Sequence, residues 1–562
     1  MTVSSATSTT NNATSLNSTA TSNSSSSTGI DWNALINAAV NAKLTQATAV
    51  STSITANQAK VSAYQTLQTA LGTLASGLTS LSSSIVNSLA TNAFATRAAT
   101  ISSTGDVNAS AALSMSIKNG AATGDHTLQI GQLATAQKVI GASQASQTTA
   151  LGFSGTFSIG LSGGSTSAVT ITSTMTLQDV VDAINAQTST TNVGASIVQL
   201  SSGSYEMVLT GAKDAANISY ASTSGDDILN KLGVTDSSGA FTDVLQAAQS
   251  AHFTLDGISM TRNSNDITDV LDGVTFDLLQ ATPSGATLKV SIGTDTSQIS
   301  SALQTFVTNY NAYRDAVIAQ QATNSDGTAS SSAVLFGDGT MRDITNRLEA
   351  ALTSTVGGLT MSALGLSFNE KNELVLNSGT LSSILTSNLS GVAKLLSAQT
   401  TTSSSQLTVV NTGTAPQSFT LDLAVDSSGT LTGASVGGDS SLFTVSGTSI
   451  IGKAGTIYAG MAFTYSGSTS QSITVTSTSG IAAQLYQIAN TYSKSTGSLQ
   501  TLITELQSRD ATMQQKVNDI DSAAAAFKAQ LQTQYAKYQA AIQSANNTLT
   551  YLKALLNAGL NN

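Results

Sequence analysis

The segment YAKYQAAIQSANNTLTYLKALL, residues 535–556, places apolar residues at alternating steps of four and three within a largely polar chain. From Tyr538 to Leu556 this spacing puts them on one face of an α-helix. A narrow apolar stripe of this kind is typical of a coiled-coil seam, which normally packs against partner helices. The segment therefore predicts a helical rod that must pair.

The same spacing continues upstream to Leu499, and a second series runs through the amino-terminal region after a candidate helix cap, Asp31. We expect a long helix at each end of the chain. The two could pair as an isolated hairpin, but the pattern favours seams that several copies also share. The candidate coiled-coil and partner-binding residues are Val50, Ile54, Val61, Tyr64, Leu67, Leu71, Leu74, Leu78, Leu502, Leu506, Met513, Val517, Ile520, Phe527, Leu531, Tyr538, Ile542, Leu549, Leu552 and Leu556.

Both series contain interruptions of the heptad repeat. Two steps of three follow one another at Tyr64, which is a stammer, and extra steps of four near Val517 and Ile542 are stutters. Asn57 occupies one seam position of the first series, and Arg509 interrupts the second. Because such breaks change the supercoil locally, we hypothesise that they give the rods compliance.

Between the two rods the apolar period changes to two, which indicates β-strands. Residues 111–140 and 252–293 read as strands around Gly-containing turns, and residues 151–220 as a small α+β module. Helical spacing returns after residue 296, with Ile299, Leu303 and Phe306 on one face. Residues 401–478 are rich in Thr, Ser and Gly and alternate again, so they predict an inserted β module.

The predicted fold class is α+β and multidomain, with long terminal coiled-coil helices and a helical leg carrying β-rich head domains. The expected domains are a disordered tail at 1–28, an amino-terminal rod and leg helix at 29–95, the first part of a head β domain at 96–145, an inserted α+β head domain at 146–250, the second part of the head β domain at 251–295, a helical leg at 296–400, the inserted β module at 401–478 and a carboxyl-terminal rod at 479–562.

Composition argues against several classes of protein. The chain has 562 residues, a net charge of -10, only 9% charged residues and no cysteine. Its acidity disfavours nucleic acid as a partner, and the missing cysteines exclude disulfides and thiolate chemistry. Because no long apolar run is present, no membrane-spanning helix is expected. The first residues lack the basic start and apolar core of a secretory signal peptide, so a secreted product would need another exporter.

Residues with catalytic or metal-binding chemistry are sparse and ungrouped. His126 and His252 are the two histidines, and neither belongs to a metal-ligand motif. Asp226 and Asp227 are adjacent, but turns and solvated surfaces explain paired acids of this kind. We therefore expect no enzyme activity, no catalytic residues, no metal site and no cofactor.

Several motifs, taken in order, resemble one bacterial family. GIDWNALINAAVNAKL and AKVSAYQTLQTALGTLASGL resemble the amino-terminal region of the flagellar hook-associated protein 2 family. FSGTFSIGLSGGSTSAVTITSTMTLQDVVDAINA is similar to the IN motif shared by flagellin and hook-associated proteins. AATGDHTLQIGQLATAQKV, HFTLDGISMTRNSNDITDVLDGVTFDL and LGLSFNEKNELVLN resemble the family's head and pre-rod segments, and YQAAIQSANNTLTYLKALL its terminal helix. The long tail and the module at 401–478 depart from the family pattern.

That resemblance implies a filament cap: a homo-oligomer, exported through the flagellar apparatus with the help of a chaperone, that promotes flagellin folding and insertion at the distal filament tip outside the cell. The alternative is an extracellular adhesin whose β modules bind a glycan or host-surface ligand. Deletion discriminates the two hypotheses, because loss of an adhesin leaves filaments intact whereas loss of a cap does not.

Overall fold

The computed structural model describes residues 31–84, 91–412 and 418–560. The tail predicted at residues 1–28 lies outside the described residues. The α+β multidomain class is confirmed, because a long helix comes at each end of the described chain and β-sheets come between them. The first helix has 51 residues and the last 63, so they extend about 77 and 95 Å at 1.5 Å per residue.

The helices, in chain order, are α1 Trp32–Ser82, α2 Ala109–Ala112, α3 Leu177–Asn185, α4 Thr188–Thr191, α5 Ile228–Lys231, α6 Thr296–Ala319, α7 Gly339–Thr353, α8 Ser378–Ser387, α9 Leu389–Leu396, α10 Ile481–Ser493 and α11 Ser498–Leu560. Short 3₁₀ helices lie at Met361–Leu364 and Ser440–Leu442.

The strands are β1 Arg97–Thr104, β2 Leu113–Ile117, β3 Gly124–Gln132, β4 Lys138–Ile140, β5 Gly155–Leu161, β6 Thr166–Ile171, β7 Val193–Ser201, β8 Ser204–Gly211, β9 Ile218–Gly225, β10 Asp243–Gln246, β11 Ala251–Leu255, β12 Ile258–Arg262, β13 Asp266–Leu271, β14 Val274–Leu278, β15 Thr287–Thr294, β16 Leu366–Phe368, β17 Leu374–Leu376, β18 Gln399–Thr402, β19 Leu407–Thr412, β20 Ser418–Val425, β21 Leu431–Ser435, β22 Phe443–Ser446, β23 Ser449–Gly452, β24 Met461–Tyr465 and β25 Gln471–Thr478.

Two compact units divide the chain. The helical unit contains α1 as far as Ala75, the stretch Asn309–Leu348 with parts of α6 and α7, and the residues from Gln487 onward. The β-rich unit contains Ser76–Thr308 and Glu349–Tyr486. Strands β16 and β17 form a short antiparallel hairpin inside the region expected to be a helical leg.

The α+β module of the β-rich unit has its own apolar core. Sheets β10-β4-β8-β7 and β6-β5-β9 surround it, and α3 contributes Val180 and Ile184 to its interior. Helix α3 begins at a capping box, in which the Thr176 hydroxyl accepts from the Asp179 amide and the Asp179 carboxylate accepts from the Thr176 amide. The local sequence thus specifies α3 in two ways, through the spacing of its apolar residues and through its capping box.

A second core lies against the five-stranded sheet β1-β15-β3-β11-β12 and the three-stranded sheet β13-β14-β2. Strand β1 pairs with β15 along its whole length, from Arg97 with Thr294 to Thr104 with Thr287. Because the α+β module is inserted between β3 and β11, which pair with each other, its two connections leave from neighbouring strands. The insertion therefore leaves the five-stranded sheet continuous.

The inserted β module consists of sheets β18-β25-β20-β21 and β19-β24-β23-β22 around a third core. The Tyr458 ring lies 4.9 Å from that of Phe419 and 5.0 Å from that of Phe443, measured between centroids. Gly452 ends β23 beside this aromatic cluster. A Cβ atom at Gly452 would lie 1.9 Å from the carbonyl oxygen of Tyr458, so glycine is required for the close approach of the two backbones.

Replacing Gly452 with alanine should loosen the β module by about 1–3 kcal/mol, because the backbone at Tyr458 must move. Native-state proteolysis followed by mass spectrometry should show faster cleavage within residues 401–478. Gly433→Ala is the matched control, since its nearest contact would be an ordinary 3.7 Å from the Ala424 Cβ atom. Equal cleavage rates for the two variants would contradict this account.

Candidate assembly interface

Helices α1 and α11 lie side by side and antiparallel. The Trp32 and Tyr535 rings are 4.9 Å apart, the Asn57 amide donates to the Asp510 carboxylate at 2.9 Å, and the Gln68 amide donates to Gln500 at 3.2 Å. As the residue numbers rise along α1, those of the partners fall one for one to within a single residue. These contacts define one register over the paired length.

Apolar side chains fill the seam between the two helices in two clusters. The first is formed by Ile36, Val40 and Ala524, with Leu44, Phe527, Leu531 and Tyr535 packed against it. The second is formed by Ala47, Ile54 and Val517, with Val50, Met513 and Ile520 around it. Five of the sequence-predicted residues on α11 therefore meet α1 residues inside one molecule.

The start of α1 is fixed by its cap and by a basic side chain. The Asp31 carboxylate accepts from the Ala34 amide at 2.9 Å, as the sequence predicted. One turn beyond the Val40 seam position, the Lys43 ammonium lies 4.7 Å from the Phe527 ring centroid, a cation–π contact. The first turns of α1 are therefore bound to α11 by aromatic as well as aliphatic contacts.

On the carboxyl-terminal side of Asn57, the surroundings of α1 change. Leu67, Leu71 and Leu74 are almost completely buried. In the two seam clusters described above, by contrast, several side chains on both helices are only half-buried. The change coincides with the stammer at Tyr64, whose hydroxyl donates to the Asp338 carboxylate at 2.7 Å. Asp338 also caps α7 by accepting from the Met341 amide at 2.8 Å. One carboxylate thus links the start of α7 to α1.

Further hydrogen bonds connect the helices of this unit. The Asn309 amide donates to the Thr73 carbonyl at 3.1 Å, and the Tyr313 hydroxyl contacts the Thr345 hydroxyl at 2.9 Å. The Tyr492 hydroxyl donates to the Asp343 carboxylate, which also accepts from Arg347. These bonds from Tyr492 and Arg347 hold the pKa of Asp343 below its usual value.

The structure places the predicted partner-binding residues in three classes of exposure. Ile54, Val61, Tyr64, Leu67, Leu71, Leu74, Leu78 and Val517 are buried; Val50, Leu502, Leu506, Met513, Ile520, Phe527, Leu531 and Ile542 are half-buried; Tyr538, Leu549, Leu552 and Leu556 are exposed. Near the start of α11 the most buried residues are Leu499, which belongs to the predicted series, and Ile503, which follows the predicted Leu502 by one position. Leu502 and Leu506 themselves are half-buried.

Beyond Tyr535, α11 continues as an overhang, which we define as residues 536–560. Five of its apolar side chains are exposed: Leu549 by 52%, Leu552 by 56% and Leu556 by 68%, together with the neighbouring Tyr551 and Leu555. They continue the heptad series of the paired part. The overhang is thus a seam that no described part of the chain covers.

The two histidines take part in ordinary strand contacts. His126 lies 2.8 Å from the Asp256 carboxylate, and His252 lies 2.9 Å from the Thr261 hydroxyl. The hydrogen bond from His126 lowers the pKa of Asp256. Within residues 31–84, 91–412 and 418–560, no cluster of histidine and acidic side chains could hold a metal ion. Among the helices of these same residues, none combines the length and the apolar composition that a membrane span requires.

These features define a multidomain α+β protein in which two long antiparallel helices pair and one of them continues with exposed apolar side chains. Family models match "Flagellar hook-associated protein 2 N-terminus" at residues 28–137, "Flagellar hook-associated protein 2 C-terminus" at residues 248–547 and "Flagellin hook IN motif" at residues 156–213. The carboxyl-terminal model alone covers more than half of the chain. The chain therefore belongs to the flagellar hook-associated protein 2 family, which is a family of structural proteins.

Curated relatives agree with this assignment. The B-type flagellar hook-associated protein 2 of Pseudomonas aeruginosa is 26% identical over 306 residues, which cover 51% of this chain and 64% of the relative. The flagellar hook-associated protein 2 of Escherichia coli K12 is 28% identical over 330 residues, which cover 56% of this chain and 70% of the relative. The chain thus spans about two thirds of the length of these relatives.

Solved structures of flagellar cap proteins are also similar. The FliD D1-D2-D3 domains from Escherichia coli have a TM-score of 0.47 and 21% identity, covering 79% of this chain and 99% of theirs. FliD from Pseudomonas aeruginosa PAO1 has a TM-score of 0.32 and 25% identity, covering 38% of this chain and 98% of its own. Since both TM-scores are below 0.5, the family assignment rests on the sequence matches.

The Tyr64 hydroxyl should make the helical unit sensitive to alkali. Burial, and then the hydrogen bond to Asp338, raise the pKa of Tyr64 above its ordinary value of 10.0. A raised folded-state pKa contributes stability that is complete below pH 10 and is lost as the pH rises toward the folded-state pKa. Thermal unfolding followed by circular dichroism should therefore show a fall in stability above pH 10, smaller in Tyr64→Phe. Tyr551→Phe, on the exposed overhang, is the control, and a Tyr64→Phe slope equal to that of the parent chain would contradict the argument.

The Asn57–Asp510 contact should contribute about 1 kcal/mol of coupling to the helix pair. A double-mutant cycle with Asn57→Ala and Asp510→Ala measures it, with local opening free energies taken from amide hydrogen exchange in α1. Gln515→Ala on the exposed face of α11, paired with Asn57→Ala, provides the uncoupled control. Additive effects of the Asn57 and Asp510 substitutions would show that the polar pair does not stabilise the register.

Proposed function

We propose that this protein is a structural cap of the bacterial flagellar filament. In this proposal several copies assemble at the distal end of the filament, outside the cell, and promote flagellin folding and insertion by noncovalent contacts. The observation that carries it is the overhang, a regular apolar seam that the described residues of the chain leave exposed at the end of a helix pair. Membership of the hook-associated protein 2 family supports the same function.

The energetics of the overhang favour association. Burying a leucine side chain completely contributes about 1.5–3 kcal/mol, so each of its half-exposed leucines would contribute about 1 kcal/mol on docking. Leu549, Leu552, Leu555 and Leu556 together would then offset a substantial part of the cost of association. A noncovalent cap needs contacts of this moderate strength, because it must bind the filament end and still allow new subunits to enter.

The expected partners follow from this function. They are further copies of the chain, flagellin, and, before assembly, the flagellar export apparatus with an export chaperone. The role needs no catalytic residue and no cofactor, so we propose a protein without enzyme activity. The relatives reported above bear names that refer to the flagellum and not to adhesion, and we do not propose the adhesin function.

Placing aspartates on the overhang seam should abolish capping without unfolding the chain. In Leu549→Asp/Leu552→Asp, assembly would bury two charges at a cost of several kcal/mol, whereas the isolated chain exposes both positions already. A strain carrying only this variant should release flagellin into the medium and lose motility, while circular dichroism of the purified protein stays unchanged.

The matched control is Asn547→Asp, which introduces a charge on the same exposed turn but away from the seam positions 549, 552 and 556. It should preserve filaments. Filaments of normal length with the double leucine variant would refute the proposed function, since the surface that carries it would then be dispensable.

A further inference from the structure

Charge is segregated along the helix pair formed by α1 and α11. The acidic residues of α11 all lie within its first half, at Glu505, Asp510, Asp519 and Asp521. From residue 522 to residue 560 the sequence contains lysines and no acid. By the register of the pair, residues 522–535 of α11 lie opposite residues 32–45 of α1, where Lys43 is the one charged residue. Asp31 caps the start of α1.

The end of the helix pair, with its overhang, is therefore basic in a chain whose net charge is -10. This end contains four lysines, at 43, 528, 537 and 553, and one acid, Asp31. Lys553 directly follows the seam residue Leu552, which is the flanking position from which coiled-coil helices form interhelical ion pairs. A partner helix laid on this seam would bring its own flanking residues next to that lysine.

The amino-terminal sequence of this chain does not have the composition of such a partner. Residues 1–30 carry no charged residue, and their large apolar residues are Met1, Val3, Leu16 and Ile30. They provide neither an apolar residue at every third or fourth position nor a negative charge for the lysines. The occupant must therefore come from elsewhere.

A second copy of the same overhang is also a poor match. Copies aligned in parallel and in register would set Lys537 beside Lys537 and Lys553 beside Lys553, and like charges at neighbouring helix positions are destabilising. Copies aligned antiparallel would still contain only positive charge. Since this surface repels its own copies and attracts acidic groups, charge complementarity selects a different occupant.

We propose that the overhang binds a helix of another protein that has apolar residues at heptad spacing and aspartate or glutamate at the flanking positions. This inference rests on the proposed function, and it deepens it by naming the chemistry of the partner. It also assigns contacts between copies of the chain to surfaces other than the overhang. Docking buries Leu549, Leu552 and Leu556, and the flanking acids of the partner pair with Lys537 and Lys553.

Two synthetic coiled-coil peptides test the proposal on the full chain. They share leucine and isoleucine at the seam positions and differ only in their flanks, glutamate in one and lysine in the other. Fluorescence anisotropy at low salt should show the acidic peptide binding at least about tenfold more tightly than the basic one, with the preference decreasing as salt screens the charges.

Variants of the chain locate the binding surface. Lys537→Gln/Lys553→Gln should weaken binding of the acidic peptide by about three- to tenfold, since it removes two partly exposed ion pairs. Leu549→Asp/Leu552→Asp should abolish it. Lys60→Gln, on α1 and outside the basic end, is the matched control and should leave the affinity unchanged.

Equal affinity for the two peptides, or binding of neither, would overturn the inference. So would sedimentation showing that the chain self-associates through the overhang, with Leu549→Asp/Leu552→Asp restoring the monomer. The outcome is separable from the proposed function: if the peptides fail while the double leucine variant still loses filaments, this inference falls and the cap function stands. Normal filaments with that variant would remove the cap function whatever the peptides show.

Discussion

The antiparallel register of α1 against α11 is the constraint on which the helical unit depends. It joins residues near the two ends of the described chain, and contacts as far apart as Trp32–Tyr535 and Gln68–Gln500 agree with it. A shift by one heptad would separate Asn57 from Asp510 and place a polar side chain among apolar ones. The register also sets where α1 begins against α11, and so how much of α11 extends beyond the paired part as the overhang.

The same helix α1 serves two packing environments, and the stammer lies where one changes into the other. Before Tyr64 in the sequence, α1 contacts α11 through a narrow seam, which suits the heptad spacing. After Tyr64, the side chains of Leu67, Leu71 and Leu74 are buried in a unit that also includes parts of α6, α7 and α10. Packing among several helices needs a wider apolar face. A local change in the apolar repeat is the means by which one continuous helix can do both.

Sequence periodicity predicted what depends on local spacing. It predicted the long terminal helices, the Asp31 cap and the alternating strands of the inserted modules, because heptad and period-two patterns are properties of neighbouring residues. It did not predict that Tyr64 would bond to Asp338, 274 residues away, since a tyrosine at a seam position carries no mark of its partner. The burial of Ile503 was missed for a related reason: in a bundle of several helices, residues beside the seam are also covered. The exposure of Leu549 and Leu556 could not be predicted either, because the spacing shows that a helix must pair but not whether the partner lies in the same chain.

The inserted β module shows how such a chain can gain a domain without disturbing its helices. Its first and last strands pair with each other, and Gln399 on β18 lies opposite Thr478 on β25. The module therefore leaves and re-enters the chain at points only one strand spacing apart, about 5 Å. The amide of Gly480, just after the module, donates to the carbonyl of Ser397, just before it. This hydrogen bond joins the end of α9 to the start of α10 through residues that lie outside the module. Because its core is separate from the other cores of the β-rich unit, the module can change in sequence with little effect on the helix pair. The inserted β module and the helix pair are thus encoded in different stretches of the chain.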